Sequence, residues 1–386
     1  MKKEIYINGF TSISALGTTA EQVWKSYQSS HAFFEKRKFK QKEYWVCPIL
    51  KESEKEIEKL QKEKKAYSYL DKSVLLALLA SRKLIVSFQD NDAFLFTNAG
   101  VNIGSSRGAT QLFENYHSQF IKTGMVSSRT SPSTTLGNLS SWVAQDLGSS
   151  GVVISHSITC STALHGVLNA IAWLKSGMAS EFIVGGTEAP LTSFTLAQLK
   201  ALKLYSQETE SLACKSLSFQ KTKNTLVLGE AASLFALSTK PKHAKAKIVG
   251  IGFANEQIKH SIAITSEAKC FQDSMQMALQ QANLKQVDAI IMHAPGSIKG
   301  DLAELKAIEK SFAKIPFLTT NKWKIGHTYA ASGAMSLELA LLMLQQQECI
   351  ANPFYKNAET PKNLDYIMVN AVGFGGNAVS LIISKL

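Results

Sequence analysis

The sequence predicts an α/β fold built from two equivalent halves, and three observations carry that expectation. Short apolar runs alternate with helical patterns along most of the chain, which argues for sheets covered by helices. The order strand, polar turn, small-residue helix, apolar strand occurs at 151–186 and again at 317–372, each followed by a further apolar run, at 225–237 and at 378–383. The turns that open the two repeated helices hold reactive side chains, Cys160 in one and His327 in the other. Halves of this kind pack about a pseudo-twofold axis, and the two helix starts then face a common centre.

Taken in order, Glu4–Asn8 alternates as a strand does, and Thr18 and Thr19 ahead of Glu21–Tyr27 supply the cap of a first helix. Residues 33–70 are charged and weakly periodic. From Asp71 the run DKSVLLALLASRKLIV predicts a long helix ending near Val86. Gly100–Ser105 reads as a buried strand closing on the turn SSRG, Ala109–Ile121 as a helix, and the Ser/Thr-rich Ser127–Trp142 as a loop and helix able to line a polar entrance. Gly151–Ser157 is predicted as a strand running into the Cys160 helix, which is apolar on nearly every side as far as Gly177, as suits a buried helix. Glu181–Gly186 is a further buried strand, and Thr225–Leu237 a strand interrupted at Gly229 and Glu230. The lysine-rich PKHAKAK, Pro241 to Lys247, looks like a linker, which places the two halves at 1–240, with the cysteine, and 241–386, with His293 and His327. In the second half Ile248–Phe253, Val287–Met292 and Phe317–Thr320 are strands, and Cys270–Ala282, Leu302–Phe312 and Ala330–Gln346 are helices. Tyr366–Val372 and Ala378–Ile383 close the chain as strands joined by GFGGN.

Composition narrows the class. The 386 residues are 45% hydrophobic and 19% charged, a globular balance with room for a sizeable core. The five cysteines, Cys47, Cys160, Cys214, Cys270 and Cys349, are scattered without CxxC or Cys/His clustering, so neither a disulfide framework nor a zinc site is indicated. A start of MKKEIYINGF without an apolar signal region, and no run near the ~20 apolar residues of a membrane span, lead to the expectation of a cytoplasmic protein. The net charge of +12 asks for an acidic partner. Nucleic acid is not that partner by this reading, because the lysines of 36–42 and 51–72 lack interleaved aromatics and the second group is mixed with glutamates. They form either an ordinary solvated helix face or a docking surface for a small acidic protein.

Cys160 begins a helix, where the positive end of the helix dipole and unpaired N–H groups stabilise a thiolate and lower the thiol pKa. A buried cysteine that merely packs is the alternative. Among the histidines, His31, His117, His243 and His260 lie in polar or irregular segments and read as surface residues, while His156 and His165 flank Cys160 as structural ones. His293 is different: it follows the apolar run VDAIIM and opens the turn HAPGSIKGD, at the carboxyl end of a strand where open α/β sheets place their sites. His327 lies on a Gly-flanked turn before a buried helix, five residues after Lys322.

With these residues in view the chain resembles the β-ketoacyl-acyl-carrier-protein synthases of the thiolase fold, specifically the elongating type. The resemblance runs from INGFTSISALGTTAEQVW through the cysteine stretch, VGGTEAPLTSF, LVLGEAASLFAL, HAPGSIKGD and KWKIGHTYAASGA to VNAVGFGGNAVSLI. It implies an αβαβα layering and a Cys-His-His triad of Cys160, His293 and His327, with Lys322 in support and Phe374 as the gating residue. The backbone N–H groups of Cys160 and Phe374 would form an oxyanion hole. Ser297, Gly373 and Gly375 would lie against the substrate's pantetheine arm, and Lys64, Lys65 and Lys203 would dock the acidic acyl carrier protein. The implied reaction is decarboxylative condensation of a malonyl thioester with an acyl group held on Cys160. It uses no metal or redox cofactor, in a homodimer or in a heterodimer with a homologous subunit.

Three departures mark a divergent member, suited to a polyene or polyketide-like product. The HGTGT turn of the family is HAPGS here, so that Pro295 and Ser297 replace its threonines and one hydroxyl is lost. The glutamate that contacts the lysine is replaced by Ser336, and Glu338, two positions on, is rotated by roughly 200° around the helix. GFGGTN is shortened to GFGGN. A degradative thiolase would need a second cysteine in this last turn, a starter-type synthase an asparagine in place of His327, and a chain-length partner would have lost Cys160. The remaining rival is a scaffold subunit that keeps the triad without turning over.

Overall fold

The computed structural model describes residues 3–88, 94–257 and 265–386; His260 lies outside them. The chain opens with β1 (Ile5–Ile13), α1 (Ala20–Gln28), the hairpin β2 (Glu35–Phe39) and β3 (Lys42–Cys47), then α2 (Lys51–Glu63) and α3 (Lys72–Val86). β4 (Gly100–Gly104), α4 (Thr110–Thr123), α5 (Thr130–Thr134), α6 (Gly137–Leu147) and β5 (Val153–Ile154) lead to α7 (Thr162–Ser176). β6 (Glu181–Glu188), α8 (Ser193–Ala201), β7 (Leu228–Gly229) and β8 (Ala231–Ser238) complete the first half. The second runs β9 (Ala246–Ala254), α9 (Lys269–Ala282), β10 (Ala289–Ile291), α10 (Ile298–Ser311), β11 (Phe317–Thr319), α11 (Lys322–Ile325), α12 (Ser332–Gln346), β12 (Tyr366–Gly373) and β13 (Asn377–Ser384).

Ten of the strands form one sheet in the order β11-β10-β12-β13-β9-β1-β8-β6-β4-β5, and β2, β3 and β7 form a second, three-stranded one. Read outward from the β1–β9 seam the two sides are the same. In each, two antiparallel neighbours are followed by two parallel ones. The seam itself is short, pairing Ile5 with Ile248, Tyr6 with Lys247 and Ile7 with Ala246.

Side-chain alternation shows how the layers stack. Along β6, Phe182 and Val184 join the core around α7 and α12, while Ile183 joins that of α3 and α6. Along β12, Ile367, Val369 and Ala371 face α7 and α12, while Met368 and Val372 face α9. Both faces of each sheet are therefore covered, which is why the strands read as unbroken apolar runs. The result is the α/β/α/β/α layering of the thiolase-like fold, with α7 and α12 as its central layer. These two helices touch closely: a Cβ on Gly333 would lie 2.8 Å from Leu164 Cγ.

One sequence expectation is corrected. The run Gly151–Ser157 contributes only Val153 and Ile154 to the sheet, at its outer edge beside β4, and Val153 is 41% exposed. Among the described residues no strand covers the other side of β5, and the backbone leaves the ladder to build the Cys160 turn. The charged, weakly periodic stretch after residue 33 holds the β2–β3 hairpin, whose β3 pairs with β7 from far along the chain, a partner invisible to local pattern, while α2 lies in the 51–72 run read as a solvated helix face or a docking surface. Among the described residues no helix is long and apolar enough to cross a membrane.

The halves meet through glycines. A Cβ on Gly186 of β6 would lie 2.5 Å from the Ala330 carbonyl, and one on Gly373 of β12 would lie 2.6 Å from the Ile158 carbonyl and overlap Thr159 Oγ1. Gly186→Ala is expected to lower stability by about 1–3 kcal/mol through overpacking, measured as a lower denaturant midpoint at unchanged slope. An unchanged midpoint would mean that strand and turn do not bear on one another.

Candidate active site

Cys160 occupies a single tight turn, Thr159–Ser161, that opens α7. Thr159 has φ +46°, a left-handed conformation that a threonine keeps only when its surroundings enforce it. They do so with several bonds. Thr162 Oγ1 accepts from Ile158 N at 2.8 Å and donates to Thr159 O at 2.6 Å, Ser161 Oγ donates to Ile158 O at 3.0 Å, and Ser106 Oγ donates to Thr159 O at 2.7 Å. The second half repeats the device ahead of α12, where Tyr329 has φ +44° and Ala330 stands in the place of Cys160.

His293 follows β10, and its backbone is pinned by a buried carboxylate: Glu304 accepts from His293 N and Ala294 N, both at 2.9 Å. His327 is held by its own backbone, donating N–H to Val227 O at 2.7 Å and accepting from Gly229 N at 3.2 Å. The two imidazoles meet edge to face with ring centroids 5.2 Å apart, and Tyr329 packs 5.5 Å from His327 on the other side. Tyr329 and Cys160 share one apolar cluster with Leu196 and Leu199 of α8. Lys322 is buried, with Nζ donating to Asn321 Oδ1 at 3.0 Å and to Ser336 Oγ at 3.4 Å. The serine in the place of the family's glutamate thus still touches the lysine, but as a neutral acceptor.

The electrostatics correct one expectation. Burial pushes the Cys160 thiol up to about 12, and the Glu188 carboxylate adds to that, while the Lys322 ammonium pulls the other way. Desolvation of a thiolate outweighs the helix-start advantage, so the resting group is a thiol. Burial also holds His327 down at about 3 and His293 well below its usual range, with Lys322 depressing both, so the two rings are neutral. Lys322 itself falls to about 8 by burial, opposed by Glu304. The Lys322 charge reaches all three groups, favouring the thiolate of Cys160 and the neutral rings of His293 and His327.

Two family models match this chain: β-ketoacyl synthase, N-terminal domain, over residues 2–243, and β-ketoacyl synthase, C-terminal domain, over 245–356. The chain belongs to the β-ketoacyl synthase family. It is 27% identical over 354 residues to the 3-oxoacyl-[acyl-carrier-protein] synthase 2 of Staphylococcus aureus (strain N315), covering 84% of each chain. Among solved structures it resembles a type II polyketide ketosynthase in complex with its acyl-carrier protein and bound to the hexaketide (AntDE:AntF), with TM-score 0.85, 17% identity and full coverage of both chains. It also resembles the ishigamide ketosynthase/chain length factor, with TM-score 0.83, 16% identity and full coverage of both.

In this β-ketoacyl synthase frame the remaining sequence candidates fall into separate groups. Phe374 sits 38% exposed in the β12–β13 turn, between Gly373, which abuts the Cys160 turn, and Gly375, whose φ is +89°. Ser297 caps α10, accepting from Gly300 N at 3.1 Å, while its own N–H joins that of Gly296 on Asp301. Lys203 is not near Lys64 in any contact: it lines a cleft of about 330 Å³ with Lys36, Lys200, Tyr44, Trp45 and Tyr205. Lys64 instead donates to Tyr67 Oη at 3.1 Å and lies 3.6 Å from Asp146, and Lys65 is exposed beside it. His156 and His165 bond the backbone carbonyls of Thr162 and Ser161, at 3.0 and 3.1 Å, as structural histidines do.

Sequence reasoning missed Glu188, Glu304 and Asp301. Glu188 accepts from Ser105 Oγ, Ser106 N, Arg107 N and Ala330 N, so it ties the SSRG turn of one half to the α12 turn of the other. Asp301 and Glu304 stand one turn apart on the buried face of α10, and Asp301 also pairs with the buried Lys221 at 2.7 Å. The available signal was acidic residues at core positions of a helix and a strand.

By these fields the His327 ring is expected not to titrate between pH 8 and 5 in histidine-resolved NMR. In Lys322→Met its midpoint is expected to move up, because a positive charge that opposed protonation is gone. A ring titrating near 6.5 in the native protein would contradict the burial argument.

Proposed function

We propose that the protein is a condensing enzyme that transfers an acyl group to Cys160 and extends it with a malonyl thioester. What supports this reading is that Cys160, His293, His327 and Lys322 are all buried, with the two rings facing one another 5.2 Å apart and the lysine's charge acting on all three. In the first step the Cys160 sulfur attacks the acyl thioester, the bond to the pantetheine sulfur breaks, and the thiol proton leaves on that sulfur by way of a neutral imidazole. In the second, the malonyl carboxylate departs as CO2 and its electron pair is left as an enolate, whose oxygen receives the ring N–H groups of His293 and His327. The carbanion then attacks the acyl carbonyl, a C–C bond forms, and the C–S bond to Cys160 breaks, releasing a 3-oxoacyl thioester and a Cys160 thiolate that takes a proton from water to restore the thiol. Contact of Gly373 with the Cys160 turn supports the amides of Cys160 and Phe374 as donors to the tetrahedral oxygen.

The carrier of both thioesters is proposed to be an acidic acyl carrier protein, met by Lys203 with Lys36 and Lys200, and by Lys65 with Lys64. Ser297 and Gly375 line the path of its pantetheine arm, and residues 1–240 and 241–386 act as the cysteine and histidine halves. A second reading, a chain-length-factor-like partner without turnover, is favoured by the neutral oxygens around Lys322 and by Pro295 in the HAPGS turn.

Incubation with acyl- and malonyl-carrier protein separates the two, the enzyme giving CO2 and 3-oxoacyl product. Cys160→Ala is expected to keep the fold and lose acyl transfer by at least about a thousandfold, read by intact mass. His327→Ala is expected still to accept the acyl group while losing condensation. Equal loss of both steps in His327→Ala would remove the proposed division of labour.

The protein is further proposed to be a twofold dimer. The open edge of β5 and the exposed apolar side chains of Phe113, Phe120, Ile121, Met125 and Val126 on and after α4 support it. Sedimentation at micromolar concentration is expected to give a dimer, and a monomer with full activity would refute it.

A further inference from the structure

The neighbourhood of Cys160 contains a cation that the steps above do not use. Arg107 follows Ser106, whose hydroxyl bonds the carbonyl of Thr159, the residue before Cys160, at 2.7 Å. The backbone of Arg107 is fixed in turn by its own N–H on Glu188, at 3.2 Å. Its side chain has no such anchor. Nε is buried without a hydrogen-bond partner, and among the described residues the guanidinium makes no ion pair.

The carboxylate that fixes the Arg107 backbone does not supply one: the oxygens of Glu188 already accept from Ser105 Oγ, Ser106 N, Arg107 N and Ala330 N. The Arg107 charge is nonetheless felt at Tyr329, where it works against the rise of the phenol caused by burial and by Cys160. The hydrophobic neighbours that Cys160 and Tyr329 share include Leu196 and Leu199. A purely alkyl substituent on Cys160 would suit such walls without any arginine, and would leave a buried N–H unpaired in the loaded state.

On the condensing-enzyme reading above, we infer that Arg107 is a specificity-determining residue that donates a hydrogen bond to an oxygen on the acyl group held by Cys160. The substrates are then oxygenated acyl chains, bearing a ketone or a carboxylate, in preference to saturated alkyl chains. The guanidinium fork suits either acceptor.

The test uses N-acetylcysteamine thioesters of octanoate, 3-oxooctanoate and suberate, with acylation rates of Cys160 followed by intact mass. The native protein is expected to take one oxygenated probe at least about tenfold faster than octanoate, the scale of one charge-assisted hydrogen bond. Preference for 3-oxooctanoate places the oxygen beside the thioester, and preference for suberate places it at the far end. Arg107→Leu is expected to abolish that ratio, and Arg107→Lys to retain part of it; a general packing role would slow all three probes alike and leave the ratio standing. Acylation without preference in the native protein, or a ratio unmoved by Arg107→Leu, overturns this inference and leaves the condensing reading intact. Failure of all three probes and of acyl-carrier protein to load Cys160 overturns both.

Discussion

Backbone pressed against backbone holds this molecule's chemistry in place. Gly186, at the end of β6, lets the carbonyl of Ala330 approach, and Gly373, at the end of β12, lets the Cys160 turn approach from the opposite half. Each half therefore supplies the floor on which the other half's turn rests. The positive φ values of Thr159 and Tyr329 are tolerated because those floors and the surrounding hydrogen bonds leave the turns nowhere else to go. Glu188 reinforces the junction by accepting N–H groups from both halves at once.

Burying so many ionisable groups sets the resting state. Carboxyls at Glu188 and Glu304 rise to about 7, Lys322 falls to about 8, and both histidines fall, each mainly by desolvation. Burial thus pushes each of these groups toward its neutral form, but Lys322, at about 8, keeps most of its charge at neutral pH, and that charge is felt by Cys160 and by both histidines.

Much of the fold was legible because its strongest elements have local signals. Asp71 caps α3 as its sequence implies, the apolar surround of α7 matches its central position, and the repeated order of elements foretold the matching sides of the sheet. The β2–β3 hairpin was not legible, since its alternation is masked by lysines and glutamates and its partner β7 lies far along the chain. At the site, strand ends and helix starts pointed to Cys160, His293 and His327. The direction of the Cys160 shift was misread, because a helix start is visible in sequence and the loss of water around a thiol is not. Glu188 and Glu304 escaped for a related reason: their partners are backbone amides that become neighbours only after folding.

The matching turns around Cys160 and Ala330 also bear on how direction enters a reaction. A twofold frame offers two sockets of the same shape and has no means of telling them apart. Here one socket holds sulfur and the other a methyl group, and both imidazoles come from the methyl side. What tells the two sockets apart therefore resides in side chains alone.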